Sequence, residues 1–230
     1  MPDGIAAHAD EHGHAVQGHA AHHPALQHHF QTMQQQQEAA TLGMWIFLVT
    51  EVMFFGGLLM AYLLYRVWYP ESWSLGSGAL DIVLGGVNTV VLIASSLTMA
   101  LAVRGAQTES HRTSFYWLLL TMALGLTFLV IKYFEYAHKF ELNEVPGRNF
   151  EFHGPPQTEI FFSLYFGLTG LHALHMVIGI TLLAVIAWMT KRRRFSPEWY
   201  TPVELSGLYW HFVDIVWIFL FPLLYLVDRA

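Results

Sequence analysis

Cysteine is absent from this 230-residue chain, and charged residues are scarce. Without cysteine there are no disulfides, no thiolate metal ligands and no cysteine nucleophile. Asp, Glu, Lys and Arg make up 12% of the residues, about half of the roughly 25% that soluble domains carry. The net charge of −6 offers nucleic acid no basic surface, so we expect no nucleic-acid partner. Together with a hydrophobic content of 54%, the shortage of charge indicates a chain whose solvent is lipid.

Lysine and arginine are missing from the first forty residues, and so is any apolar run, so we expect no cleavable signal peptide there. Eight histidines lie in this stretch among Ala, Gly and Gln: His8, His12, His14, His19, His22, His23, His28 and His29. A four-glutamine run follows at residues 34–37. Because no aliphatic periodicity is present, we predict a disordered His/Gln-rich tail over residues 1–41, with a short helical stub next to the membrane, and a membrane domain over residues 42–230.

Long apolar stretches recur five times after the tail. The predicted helices are Leu42–Tyr65, Leu80–Val103, Ser114–Tyr136, Glu159–Met189 and Glu204–Val227. Each is at least as long as the roughly 20 residues that cross a hydrocarbon layer of ~30 Å. The sequence therefore predicts an all-α fold, a polytopic membrane bundle of five transmembrane helices.

Prolines and small residues mark the predicted helix boundaries. Pro70 and the Ser/Gly-rich run 72–78 are expected to separate the first two helices, and the prolines at 155 and 156 to mark the start of the fourth. At the fifth helix, Thr201 is the expected N-cap with Pro202 in the first turn. Pro222 should kink or end that helix, because proline has no N–H for the helical ladder.

Basic residues predict the orientation of the bundle. Five crossings place the tail and the loops 104–113 and 190–203 on one side, where Arg104, Arg112 and the run Lys191–Arg194 lie. The opposite side carries fewer basic residues and several acidic ones. Since short cytoplasmic loops are enriched in Lys and Arg, we predict a cytoplasmic N-terminus and a periplasmic C-terminus.

Seven charged residues and histidines of the predicted membrane helices are candidate functional residues: Glu51, Lys132, Glu135, His172, His175, His211 and Asp214. A charged side chain near the bilayer centre costs about 2.5–3.5 kcal/mol even on the mildest scale. Lys132 and Glu135 are three residues apart near the outer end of the third helix, which predicts an interfacial ion pair with the lysine snorkelling outward. His211 and Asp214 lie one turn apart, which predicts a hydrogen bond within the fifth helix.

His172 and His175 share a face of the fourth helix. One interpretation is that they join helices by packing against small residues, such as Gly56, Gly57, Gly85 and Gly86. The other is haem or metal ligation. A b-type haem needs axial histidines on two helices at matching depth, and a zinc or copper site needs a third ligand that the sequence does not offer. We therefore predict no catalytic residue and no metal site in this chain.

Glu51 has no partner within its own helix, and its near neighbours include Phe54 and Phe55. His175 and His211 lie at comparable depth on other helices, so either is a candidate hydrogen-bond partner. Two interpretations stay open. The bond ties helices together, or Glu51 also supplies protons to a partner protein.

Five segments resemble, in order, subunit III of the haem–copper terminal oxidases. They are residues 45–55 with Glu51, 88–96, 134–136 with Glu135, 169–179 with its Gly-x-His-x-x-His pattern, and 209–217 with His211 and Asp214. The resemblance implies a subunit of a cytochrome c oxidase that carries no redox centre. It implies direct packing against the haem-bearing subunit I, contacts with other oxidase subunits and support of proton uptake. Glu51 aligns with the carbodiimide-reactive buried carboxyl of that family.

The same resemblance sets expectations for cofactors, location and alternatives. It implies no cofactor bound by this chain, haem and copper in partner subunits, phospholipid as a candidate ligand among the membrane lipids, and a place in a bacterial inner membrane. Members of the mitochondrial type have two further helices and a lipid-filled cleft, so the chain resembles the five-helix bacterial form. The motifs also fit subunit III of a quinol oxidase and a relative associated with nitric-oxide reductases. A membrane b-type cytochrome and a small transporter are the remaining alternatives, although no inverted repeat favours the transporter.

The histidine-rich tail generates the first testable prediction. Imidazole binds copper and zinc, but the composition favours a solvated, disordered segment. We expect deletion of residues 1–30 to leave assembly of the oxidase intact, measured as the amount of this chain that co-purifies with the haem-containing subunit. Loss of the assembled complex in the deletion would show that the tail is structural.

Overall fold

The computed structural model describes residues 26–108, 110–148, 150–196 and 199–227. The helices in these residues are α1 Met33–Trp68, α2 Pro70–Gly78, α3 Ile82–Gln107, α4 His111–Glu141, α5 Thr158–Lys191 and α6 Thr201–Phe221. All but α2 are long and apolar enough to cross a membrane, α6 together with the turn that follows it. The predicted all-α fold with five membrane-spanning helices is thereby confirmed, and the orientation of the termini stays a prediction.

Helix α1 begins at Met33, nine residues before the predicted Leu42. Thr32 caps it, because its side-chain oxygen accepts a hydrogen bond from the backbone N–H of Gln35 at 3.1 Å. One turn further on, Gln34 donates to Glu38 at 2.8 Å. Residues 33–41, assigned from the sequence to the tail, thus extend the first membrane helix. Residues 1–25, with six of the eight tail histidines, lie outside the described residues.

The segment from Pro70 separates the first two membrane helices as predicted, but it is itself the short helix α2 and not an irregular break. Proline is tolerated in the first turn of a helix, where its missing N–H would have no partner anyway. Burial then overrides the weak helix propensity of serine and glycine. Trp73 is fully buried against the rings of Tyr62 and Phe161, with ring centroids 5.7 and 5.6 Å away.

Prolines mark the later boundaries as predicted, with one shift of register. Helix α5 begins at Thr158, just after the two prolines. Helix α6 begins at Thr201, so Tyr200 and not Thr201 is its N-cap, and no side chain caps it. At the far end α6 stops at Phe221, and a π-helical turn runs from Pro222 to Leu226. The prediction that Pro222 would kink or end this helix is confirmed.

Helices α3 to α6 form a ring in which α3 packs on α4, α4 on α5, α5 on α6 and α6 on α3. Helix α1 packs outside this ring, against α5 and α6, and most of its large apolar side chains are exposed. The closest approach in the ring is between α3 and α4. There a Cβ at Gly105 would lie 2.9 Å from the backbone nitrogen of Ser114. The polar residues of α5 and α6 lie in three different places: His172 inside the ring, His175 at the border with α1, and His211 and Asp214 at the seam between α3 and α6.

The second prediction concerns Gly76, which packs against Phe161. A Cβ at Gly76 would lie 2.3 Å from Cδ1 of the fully buried Phe161 ring, whereas a Cβ at Gly78 would meet nothing within 4 Å. We expect Gly76→Ala to destabilise the fold by about 1–3 kcal/mol, the usual cost of overpacking a filled interior. Gly78→Ala is the matched control in the same helix. The thermal midpoint of the purified protein measures both, and equal midpoints would contradict the packing described for α2.

Candidate functional site

Glu51 of α1 and His175 of α5 form a hydrogen-bonded pair, with Glu51 Oε2 3.1 Å from His175 Nε2. The other ring nitrogen of His175, Nδ1, lies 2.9 Å from the backbone carbonyl of Leu171. Because a carbonyl oxygen only accepts, Nδ1 carries a hydrogen. Nε2 and the carboxyl group therefore share a single proton. Either a neutral imidazole accepts from a protonated Glu51, or an imidazolium donates to a carboxylate.

The surroundings of this pair join three helices. The ring of Phe55, one turn after Glu51, packs on the imidazole at 5.2 Å between centroids, and Tyr209 of α6 donates to the backbone carbonyl of His175 at 3.0 Å. The Glu51 side chain keeps 17% of its surface exposed. Of the two partners expected for Glu51, His175 is confirmed, whereas His211 bonds elsewhere.

Lys132 and Glu135 of α4 form the predicted ion pair, with Nζ 3.0 Å from Oε2, and the pair is buried among the helices. Each residue is only 4% exposed. The ammonium also donates to the hydroxyl groups of Tyr225 at 2.8 Å and Tyr165 at 3.2 Å. Both tyrosines in turn donate to Glu135 Oε1, at 2.5 and 2.8 Å. The outward snorkelling predicted for Lys132 is therefore wrong.

An aromatic cage explains why Lys132 stays inside the bundle. Its Nζ lies 5.1–5.5 Å from the ring centroids of Tyr136, Tyr165, Trp217 and Tyr225. Ring faces attract a cation, and more strongly where water is excluded. Three of these rings stand on α5, α6 and the π-helical turn, far from Lys132 in the chain. The sequence therefore showed the pair but not the cage around it.

Sequence reasoning missed a second buried lysine, Lys139, which it counted only as a charge on the outer side. Lys139 is 4% exposed, donates to the backbone carbonyl of Ala79 at 2.8 Å and pairs with Glu144. It thereby fixes the end of α4 against the link between α2 and α3. The one available signal was Glu144, five residues after the lysine.

His172 lies at the centre of the ring of helices and is fully buried. Its imidazole packs against Phe128 and Trp217, with centroids 5.3 and 5.2 Å away, and within the described part of the chain neither ring nitrogen has a hydrogen-bond partner.

The predicted packing of the histidines on glycines is wrong. A Cβ at Gly56 or Gly57 would meet nothing within 4 Å, and one at Gly85 would meet Phe221 and Tyr225. Gly86 also lies nearest to Phe221. Aromatic rings, which offer more contact surface than glycine, surround the imidazoles instead.

His211 and Asp214 of α6 do not bond to each other, which corrects the prediction of a hydrogen bond within the helix. His211 Nδ1 lies 2.7 Å from the hydroxyl of Ser96 on α3. Asp214 is 3% exposed, and among the described residues neither of its carboxylate oxygens has a hydrogen-bond partner. The imidazole turns toward α3 because a hydroxyl group lies there within hydrogen-bond distance.

The seven polar residues thus form separate clusters, and no three of them converge. In the described ranges, no group of three or more His, Asp or Glu could hold a metal ion, and that the chain binds no metal stays a prediction. The chemical capacity of the site lies at Glu51 and His175, where a hydrogen bond joins a carboxyl group to an imidazole.

Comparisons with known proteins agree with the resemblance drawn from the motifs. The family model "Cytochrome c oxidase subunit III" matches residues 23–228. The chain is 35% identical over 190 residues to "Cytochrome c oxidase subunit 3" of Synechocystis sp., covering 80% of this chain and 74% of the relative. It is 27% identical to "Probable quinol oxidase subunit 3" of Staphylococcus aureus, covering 84% and 91%. It is also 30% identical to "Heme-copper oxidase subunit I+III" of Aeropyrum pernix, covering 80% of this chain and 22% of that longer one.

The buried ion pair generates the third prediction. Lys132→Met leaves the Glu135 carboxylate inside the bundle without its cation, and we expect a loss of about 3–5 kcal/mol of stability, as for other broken buried pairs. The double variant with Glu135→Leu as well should lose much less, because no charge remains and the two tyrosine hydroxyls, 3.5 Å apart, can bond each other.

Thermal midpoints of the single and double variants measure this difference. A double variant that is as unstable as Lys132→Met, or less stable, would contradict the account of the cage.

Proposed function

Because the chain belongs to the cytochrome c oxidase subunit III family, we propose that it is the non-redox subunit III of a respiratory cytochrome c oxidase. In this role it stabilises subunit I and supports the uptake of protons by that subunit. Oxygen reduction and proton translocation take place at haem and copper centres in the partner subunits. The complex lies in a bacterial plasma membrane and serves aerobic electron transport.

Two findings support the choice of complex and partner. The cyanobacterial relative named for cytochrome c oxidase is more similar to the chain than the staphylococcal relative named for a quinol oxidase, at 35% against 27% identity. The relative from Aeropyrum pernix carries subunits I and III in one name and one chain. Direct contact with subunit I is the simplest reason for such a fusion, because fused domains act at a high effective concentration.

The hydrogen bond between Glu51 and His175 is the observation that carries the proton-uptake proposal. Nδ1 of His175 is anchored on the Leu171 carbonyl, so any exchange of protons takes place at Nε2 and at the Glu51 carboxyl. The partly exposed Glu51 side chain borders the outer surface of α1, where water or a neighbouring subunit reaches it. The pair is neutral while it holds the shared proton, release of that proton leaves one negative charge on Glu51, and uptake of the next proton restores neutrality.

Glutamine at position 51 separates this role from a purely structural one. In Glu51→Gln the amide N–H₂ still donates to Nε2, so the tie between α1 and α5 is kept. The amide cannot release or accept a proton at physiological pH. A structural role would therefore survive the substitution, and a proton-holding role would not.

The fourth prediction follows for the assembled oxidase. We expect the Glu51→Gln complex to retain the chain in full but to lose turnover progressively as pH rises, because protons in bulk water become scarce and a local holder matters more. Thr50→Val is the matched control, since Thr50 is exposed on the same helix and bonds only to the backbone carbonyl of Phe47. Turnover against pH, with subunit content checked on a gel, is the measurement. Superimposable curves for wild type and Glu51→Gln would contradict the proposal.

A further inference from the structure

A groove runs along the outside of the bundle between α3 and α6. It consists of two adjoining clefts of about 360 and 230 Å³, and both are lined by Ala100 and His211. On α6 the groove extends from Glu204 to Ile218, which is about 21 Å at 1.5 Å per residue. We call it the α3/α6 groove. Its length is most of the thickness of a hydrocarbon layer, which is ~30 Å.

The side of this groove carries a buried carboxyl group, Asp214, whose hydrogen bonding the described residues leave incomplete. Asp214 lines the larger cleft, is almost fully buried, and has no hydrogen-bond partner for either carboxylate oxygen among the described residues. The Ser96 hydroxyl also interacts with Asp214, more weakly, and lies 2.7 Å from His211 Nδ1, so it leaves at least one carboxyl oxygen without a donor among the described residues. A buried polar group without a hydrogen-bond partner is destabilising, because it has lost the bonds that water would supply. The carboxyl group therefore calls for a donor from outside the chain.

The shape and apolar rim of the α3/α6 groove restrict which molecules can bring a hydrogen-bond donor to Asp214. Ala100 is small and exposed, so another helix can approach closely there. The rim is apolar and exposed, with Ile93, Leu97 and Ile215 at 54%, 63% and 51%. Acyl chains would cover such a rim but contain no hydrogen-bond donor. An apolar helix that carries one donor side chain meets both requirements.

We infer that the α3/α6 groove is the docking site of a transmembrane helix of subunit I, which presents a hydrogen-bond donor to Asp214. The inference rests on the proposed function, since it names the face through which that partner is bound. Asp214 and, at the groove end, the exposed Glu204 make the groove acidic, so a partner helix bearing an Arg, Lys, Asn, Gln or hydroxyl side chain is complementary to it. The tandem subunit I and III relative supports subunit I as the occupant.

Photo-crosslinking in the assembled oxidase tests the location directly. We expect p-benzoylphenylalanine in place of Leu97, on the groove rim, to give an adduct with subunit I under illumination. The same probe in place of Val130, which is 53% exposed on α4, is the matched control and should give no such adduct. Adducts at position 97 with lipid only, or with a second copy of this chain, would overturn the inference.

A steric variant provides the fifth prediction and an independent readout. Ala100→Trp fills the groove where the two clefts meet, whereas Leu126→Trp places the same bulk on the exposed face of α4. We expect Ala100→Trp to reduce the amount of this chain retained by tagged subunit I at least about fivefold. The indole keeps the partner helix out of the groove and so denies Asp214 its donor, and about fivefold is the smallest effect of such a loss. Leu126→Trp should be retained as wild type. Equal retention of the two variants would overturn the inference.

Co-purification and crosslinking together distinguish a wrong docking site from a wrong proposed function. If the wild-type chain does not co-purify with any haem-containing subunit, the proposed function itself fails. If the wild-type chain co-purifies but neither the position-97 probe nor Ala100→Trp distinguishes the groove from the α4 face, only the docking site is wrong. Total chain in the membrane, measured on a blot, separates lost docking from lost expression, and the crosslinking arm does not depend on the Ala100→Trp variant folding.

Discussion

Hydrocarbon offers no hydrogen bonds, so a charged group inside a membrane helix is stable only where protein supplies its partner. The pair of Lys132 and Glu135 is where this constraint acts most strongly. Two full charges lie inside the bundle, and they are compatible with lipid only because Tyr165 and Tyr225 close the network around them. Three structural elements that are distant in sequence are thereby joined at one point.

The need for Tyr225 at that point accounts for the irregular end of the last helix. Pro222 ends the regular hydrogen bonding of α6, and the π-helical turn that follows carries Tyr225 inward. Gly85 on α3 makes room, because a Cβ there would lie 3.1 Å from the Tyr225 ring. Pro222, Gly85 and Tyr225 are far apart or unrelated in the sequence, yet all three help to stabilise the same buried ion pair. By contrast, the pair of Glu51 and His175 lies at the border with α1, and Asp214 lies at the groove between α3 and α6, where partners from outside the chain can reach them.

The sequence predicted those features that depend on hydropathy or on neighbouring residues along one helix. The five spans, the end of α6 at Pro222 and the pairing of Lys132 with Glu135 are of this kind. The partner of Glu51 was narrowed to two histidines by depth, and only packing chose His175. The cage of Lys132, the contact of His211 with Ser96 and the helical form of 70–78 depend on which faces of distant segments meet. Sequence periodicity carries no information on contacts between distant segments, so these three features were missed or predicted wrongly.

Each charged group buried in this bundle is paired with a donor or acceptor from this chain or from a neighbouring subunit. A high-resolution cryo-electron microscopy map of the assembled oxidase tests it most directly. The account predicts Lys132 inside its cage of tyrosines, within hydrogen-bond distance of Glu135, and a donor from a subunit I helix within hydrogen-bond distance of Asp214. A map in which Lys132 extends to the headgroup region, or in which only acyl chains cover the α3/α6 groove beside Asp214, would contradict it.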